Sequence, residues 1–105
     1  MRSMLRSEPD LQIIGEAKDG QETIELCRLQ RPDLVVMELR MPRVNGFRAT
    51  QTIKEELPTT KVLIVSAYED PLFLSEAVRA GADGYVLKVS PLPEILNAIR
   101  GVLRS

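Results

Sequence analysis

The sequence contains no histidine and no tryptophan, one cysteine, and only two tyrosines and two phenylalanines in 105 residues. Without histidine the commonest general base and the commonest metal ligand are missing, which argues against hydrolases and zinc sites. Cys27 alone permits no internal disulfide and fits a reducing cytoplasm. No apolar run approaches the ~20 residues of a membrane span, and no signal-peptide pattern follows Met1, so no membrane partner and a cytoplasmic location are expected. Neither sign of charge dominates: Lys plus Arg is 14, Asp plus Glu is 15, and the formal net charge is -1. Such a balance leaves no electrostatic footprint for nucleic acid or a lipid surface. Internal repeats, low-complexity tracts and linkers are absent as well. The length suits one domain, 1–105, with a real core.

What is present is alternation. Leu11 to Ala17, Leu34 to Leu39, Lys61 to Ala67 and Gly84 to Lys88 are short, apolar and rich in Val and Ile, as strands are. Their near-continuous apolar character implies burial on both faces, as in a parallel sheet covered by helices. Helical patterns separate them. Asp19 with Glu22 resembles a capping box ahead of Ile24 and Cys27. Phe47, Thr50, Ile53 and Leu57 recur at helical spacing until Pro58 stops them. Asp70-Pro71 opens a helix through Leu74, Ala77 and Val78, and Gly81 terminates it. Ser90-Pro91 opens the last, whose stripe is Leu92, Ile95, Leu96, Ile99, Val102 and Leu103. The expected fold is α/β, a doubly wound parallel sheet in three α/β/α layers. One feature departs from that pattern. Residues 1–7 have helical spacing where such a fold opens on a strand.

Open parallel sheets bind ligands beyond the carboxyl ends of their strands. Three polar residues stand there: Glu38, Ser66 and Lys88. Each has two readings. Glu38 is a site acid or a solvated, ion-paired strand end. Ser66 is a site hydroxyl or a partner for a strand-end backbone group. Lys88 is a site cation or a solvent-facing terminator. Tyr85, within the last strand, reads equally as a half-buried β-former. If the strands are neighbours, a carboxylate, a hydroxyl and an ammonium meet at one edge.

The stretch RPDLVVMELRMPRVNGF resembles the phosphoacceptor strand and following loop of the receiver domain of bacterial two-component response regulators. KVLIVSA is similar to the strand ending in that family's hydroxyl residue and its small follower. AVRAGADGYVLK is similar to the segment with the switch aromatic and the lysine. SEPDLQIIGEAKDGQE resembles the second strand in the NarL/FixJ branch. The likeness runs from about residue 4 to the end and implies a CheY-like, flavodoxin-like fold. It places Glu38 where the family has its phosphorylated aspartate and Ser66 at the residue that hydrogen-bonds the phosphoryl group. Ala67 is then the small neighbour of the phosphate, Lys88 the partner of the aspartate or its phosphate, and Tyr85 the aromatic that changes rotamer. Arg40 holds the place whose backbone carbonyl binds Mg²⁺.

Three departures from the family pattern shape the functional expectation. Glu38 is one methylene longer than aspartate, a displacement on the order of 1 Å that can cost about 10²-fold in rate. The family's first strand and its acidic pair are not recognisable, so four of five strands are expected, the N-terminus reads as incomplete, and no bound Mg²⁺ is expected. Val89 follows Lys88 where many members have proline. The resemblance thus implies a signalling module of a phosphorelay, not an enzyme, that is not phosphorylated. It would be a fragment of a transcription regulator, with no DNA-binding output domain and no nucleic-acid partner of its own. The partner implied is a histidine kinase or phosphotransfer protein. The family's strand order puts the absent strand between 11–17 and 34–39, a gap of roughly 10 Å. Self-association through unpaired strands or the 70–103 face is therefore also expected. The rivals are a competent phosphotransfer receiver and a purely structural or engineered flavodoxin-like module.

Overall fold

The computed structural model describes residues 20–38, 46–66 and 71–104. Helix and strand alternate through them: α1 (Gly20–Gln30), β1 (Leu34–Glu38), α2 (Gly46–Glu56), β2 (Lys61–Ser66), α3 (Pro71–Ala80), β3 (Gly84–Leu87) and α4 (Leu92–Arg104). The three strands form one parallel sheet in the order β1-β2-β3. Leu34 pairs with Lys61 and Glu38 with Val65 along the first ladder, and Leu63 pairs with Gly84 and Ser66 with Leu87 along the second. The strand expected at 11–17, the helical start at 1–7 and the caps Asp19 and Asp70 lie outside the described residues.

Strand alternation divides the core in two. Val62 and Ile64 pack with Ile24 and Cys27 of α1, Ala49 and Ile53 of α2, and Ala77 of α3, along with Met37 of β1. Leu63 points the other way, onto Ile95, Leu96, Ile99 and Val102 of α4. The result is a layer of α1, α2 and α3, a sheet, and a layer holding α4. Complete burial of an aliphatic side chain contributes about 1.5–3 kcal/mol, so β2 supplies much of the cohesion. Even the buried Thr50 hydroxyl finds a partner, donating to Met37 Sδ at 3.6 Å.

Two expectations need correction. Burial on both faces holds for β2, but Leu34, Val35 and Val36 of β1 and all of β3 are only half-buried. β2 is the strand with a described neighbour on each side. In α3 the anticipated stripe is narrower: Ala77 is buried, whereas Leu74 and Val78 are 48% and 67% exposed. At 100° per residue Phe73 and Ala77 share the inward line, and Leu74 and Val78 fall one step round from it.

The amino ends of the strands are knotted together. Lys54 Nζ donates to the carbonyls of Pro58 (3.1 Å) and Thr60 (2.9 Å) and to Asp83 Oδ2 (3.0 Å). The same Asp83 oxygen accepts the Val62 N–H at 2.9 Å, and Asp83 N–H donates to the Val62 carbonyl at 2.9 Å. Thr60 Oγ1 donates to the Pro32 carbonyl at 2.9 Å, which ties in the entry to β1. Helix ends are closed locally. Gly81, at φ 95°, ends α3 as expected, with Ala82 N–H on the Ala77 carbonyl and Gly81 N–H on that of Val78. Arg31 performs the same left-handed turn after α1 at φ 47° without being glycine. Arg28 of α1 forks onto Glu56 of α2 at 2.7 and 2.6 Å, which holds the Glu56 carboxyl below its ordinary pKa.

Two glycines give opposite expectations. A Cβ on Gly84 would lie 2.8 Å from both Leu63 and Val102, whereas one on Gly101 of α4 meets nothing within 4 Å. Gly84→Ala should destabilise by about 1–3 kcal/mol through overpacking. Gly101→Ala should stabilise by about 0.5–1 kcal/mol through the helical backbone. Urea unfolding of the two variants checks both signs.

Candidate functional site

Parallel pairing brings three of the singled-out positions to one edge. Glu38 is the last residue of β1, Ser66 the last of β2, and Lys88 follows directly on β3. Because Glu38 stands opposite Val65, it lies one residue from Ser66 along the shared ladder. Lys88 N–H donates to the Ser66 carbonyl at 2.7 Å, so β2 and β3 stay paired to the very edge. Neighbouring strands run ~4.8 Å apart. The condition that the strands be neighbours is met.

The described side chains differ in setting. Ser66 is buried at 2% exposure, and among the described residues no buried side-chain nitrogen or oxygen lacks a hydrogen-bond partner. Lys88 is exposed. Tyr85 pairs in register with Ile64 and packs half-buried against the cluster that holds Ile64 and Ala77. Alternation puts Ser66 on the same sheet face as Ile64. Tyr85 and Ser66 are therefore on one face of adjacent strands, a pleat apart. Glu38 is described by its place in β1, and Ala67 and Arg40 lie outside the described residues.

Mg²⁺ prefers near-octahedral oxygen ligands, with one or two carboxylates and several waters. Among the described residues no group of three acids, histidines or cysteines could hold a metal ion. Asp33 precedes β1, at the opposite end of the strand from Glu38, and cannot join it. The described donor set does not fit such an ion.

Sequence reasoning passed over two features. The Lys54–Asp83 knot joins residues 29 apart, a separation that leaves no periodic signal. Phe73 stacks on Phe47 with ring centroids 6.3 Å apart and planes at 23°. The spacing of Phe73 from Ala77 was the available hint, since residues four apart share a helix face.

This architecture is a parallel α/β domain with polar residues at its carboxyl edge. The profile of the response regulator receiver domain matches residues 1–100. The uncharacterised transcriptional regulatory protein YxjL of Bacillus subtilis (strain 168) is 36% identical over 98% of this chain and 47% of its own length. A LuxR-family two-component response regulator from Aurantimonas sp. SI85-9A1 superposes with a TM-score of 0.93 at 34% identity, covering 98% of this chain and 74% of that one. The signal receiver domain of a protein described as NarL from Mycobacterium tuberculosis gives 0.93 at 30% identity, over 99% and 84%. The chain belongs to the response regulator receiver domain family. Its fold is the flavodoxin-like, CheY-like one, and domains of this family are signalling modules whose members bind Mg²⁺ and interact with histidine kinases or other phosphodonors. The chain spans about half the length of the curated relatives it matches, at 47%, 43% and 46% for three of them. No helix among the described residues is long and apolar enough to cross a membrane.

Cys27 stands apart from the edge. It is 3% exposed within the core, and burial pushes its thiol up to about 11. A thiol whose folded pKa exceeds its unfolded value of about 8.5 favours the folded state below that value. The contribution then fades as pH rises toward 11. At pH 8 the native thiol should react with iodoacetamide far more slowly than the urea-unfolded chain, at least tenfold by mass spectrometry. Equal rates would contradict a buried neutral thiol.

Proposed function

We propose that this chain is the receiver part of a transcription regulator and that it signals without being phosphorylated. The observation that carries the reading is the meeting of Glu38, Ser66 and Lys88 on three adjacent strand ends, with Glu38 in the family's aspartate place. Glutamate extends the carboxylate past the position for in-line attack on a phosphodonor. The described residues supply no acid cluster to hold the metal that would neutralise the transferring group. Phosphotransfer chemistry depends on positioning and charge stabilisation above all, and both are compromised. The chain is then a binding module rather than a catalyst. Its partner is a histidine kinase or phosphotransfer protein, and its setting is cytoplasmic.

Glu38 also sets the resting state. A carboxylate carries about one charge where a phosphoryl group carries nearly two, but glutamate reaches one methylene further than aspartate. It therefore biases the domain toward the active-like arrangement in part, with Ser66 and Tyr85 turned in. The resemblance assigns Ala67 as the small residue next to the site hydroxyl, and gives the Arg40 carbonyl a metal role only where the acidic pair is restored.

Incubation with acetyl phosphate and Mg²⁺ should give no mass gain of about 80 Da. Glu38→Asp alone should give none either, because the described residues offer no acid cluster to hold the metal. A hydroxylamine-labile adduct on Glu38 would falsify the first statement. For the bias, Glu38→Gln should shift the Tyr85 ring resonances and weaken kinase or phosphotransfer-domain binding by about 3- to 10-fold, a loss on the scale of one ordinary hydrogen bond. An unchanged Tyr85 spectrum together with unchanged binding removes the bias.

A further inference from the structure

Of the described helices, α3 has the fewest buried residues. One of its ten residues, Ala77, is buried, against four each in α1, α2 and α4. Leu72, Leu74 and Val78 are exposed at 67%, 48% and 67%. A helix with so few buried contacts belongs to the low end of local stability. Phe73 of this helix is half-buried, and its ring lies 6.3 Å from that of Phe47 in a nearly parallel stack. Aromatic pairs at this separation contribute beyond their buried area.

The placement of the two rings matters as much as their contact. Phe47 is in the first turn of α2, the helix that follows β1 and Glu38. Phe73 is in the first turn of α3, the helix that follows β2 and Ser66. Both rings pack against the cluster that also receives Tyr85. The stack therefore joins the starts of the two helices that issue from the candidate edge.

We infer that the Phe47–Phe73 stack is a tether that locks the first turn of α3 to that of α2, so that α3 answers to changes at the Glu38–Ser66 edge. Transmission from the edge rests on the receiver reading above; the tether itself does not. Without the stack α3 keeps Ala77 as its one buried residue and loosens locally while the sheet stays intact.

Hydrogen exchange on the whole chain tests this. Phe47→Leu and Phe73→Leu should each raise exchange of the α3 amides of Ser75 to Ala80 by about 3- to 10-fold, the range of one aromatic pair. The amides of Val62 to Val65 should change less than about twofold. The double variant should exceed either single by no more than about twofold, because the second ring has lost its partner already. Phe73→Tyr keeps a stacked ring and should exchange as the parent does. Four results overturn the tether: an unchanged α3, equal acceleration in α3 and β2, multiplicative effects in the double variant, or acceleration in Phe73→Tyr. For transmission, Glu38→Gln should shift α3 amide resonances in the parent but not in Phe73→Leu, while still shifting Tyr85 in both. A Glu38→Gln substitution that leaves both Tyr85 and partner binding unchanged overturns the receiver bias and with it the transmission, while the exchange ratios still decide the tether.

Discussion

Val62, Leu63, Ile64 and Val65 are withdrawn from water to 1% exposure or less, and the remaining architecture answers to that demand. A parallel strand sealed on both faces needs a helix layer on each, because its crossover connections must cover it. α1, α2 and α3 cover one face and α4 the other. The strand's side chains alternate between the two layers, so a slip of one residue would trade the entire set. Sealing also dictates where polar groups can sit. They are left to the strand ends, where Asp83 and Lys54 meet at the amino side and Ser66 and Lys88 at the carboxyl side.

The parts of the fold most legible in the sequence are those written in local pattern. β2 could be read from a run of Val, Leu and Ile, and α4 from a stripe whose Ile95, Leu96, Ile99 and Val102 are all buried. Gly81 announced its own left-handed turn. Legibility failed where a neighbour distant in the chain decides the outcome. Leu74 and Val78 satisfy the helical period as well as Ala77 does, yet α3 rests on a narrow line through Phe73 and Ala77, and the width of that line depends on α2. Asp83 looks like an ordinary loop acid until Lys54 and the Val62 N–H are seen on the same oxygen. At the candidate edge, the polar residues could be named and their order along the strand ends anticipated, since parallel topology fixes it. The pairing of Lys88 N–H with the Ser66 carbonyl could not, because it is a matter of register.

Family membership and chemistry rest on different amounts of structure. Membership rests on a pattern spread over residues 1–100 and survives any single exchange. Phosphoryl chemistry rests on a few atoms held to within about an ångström. A fold can therefore be retained where the reaction associated with it is not.

The knot at the amino ends has a consequence for how such a chain tolerates change. Lys54, Thr60 and Asp83, with the backbone of Pro32 and Val62, fix where each strand begins. Starting points set there need no help from the far side of the sheet. Segments beyond the carboxyl ends can thus drift in sequence without shifting the strands against one another. Descendants of this chain have room to acquire new specificities on one side of the molecule, while the other side preserves the alignment that makes them the same protein.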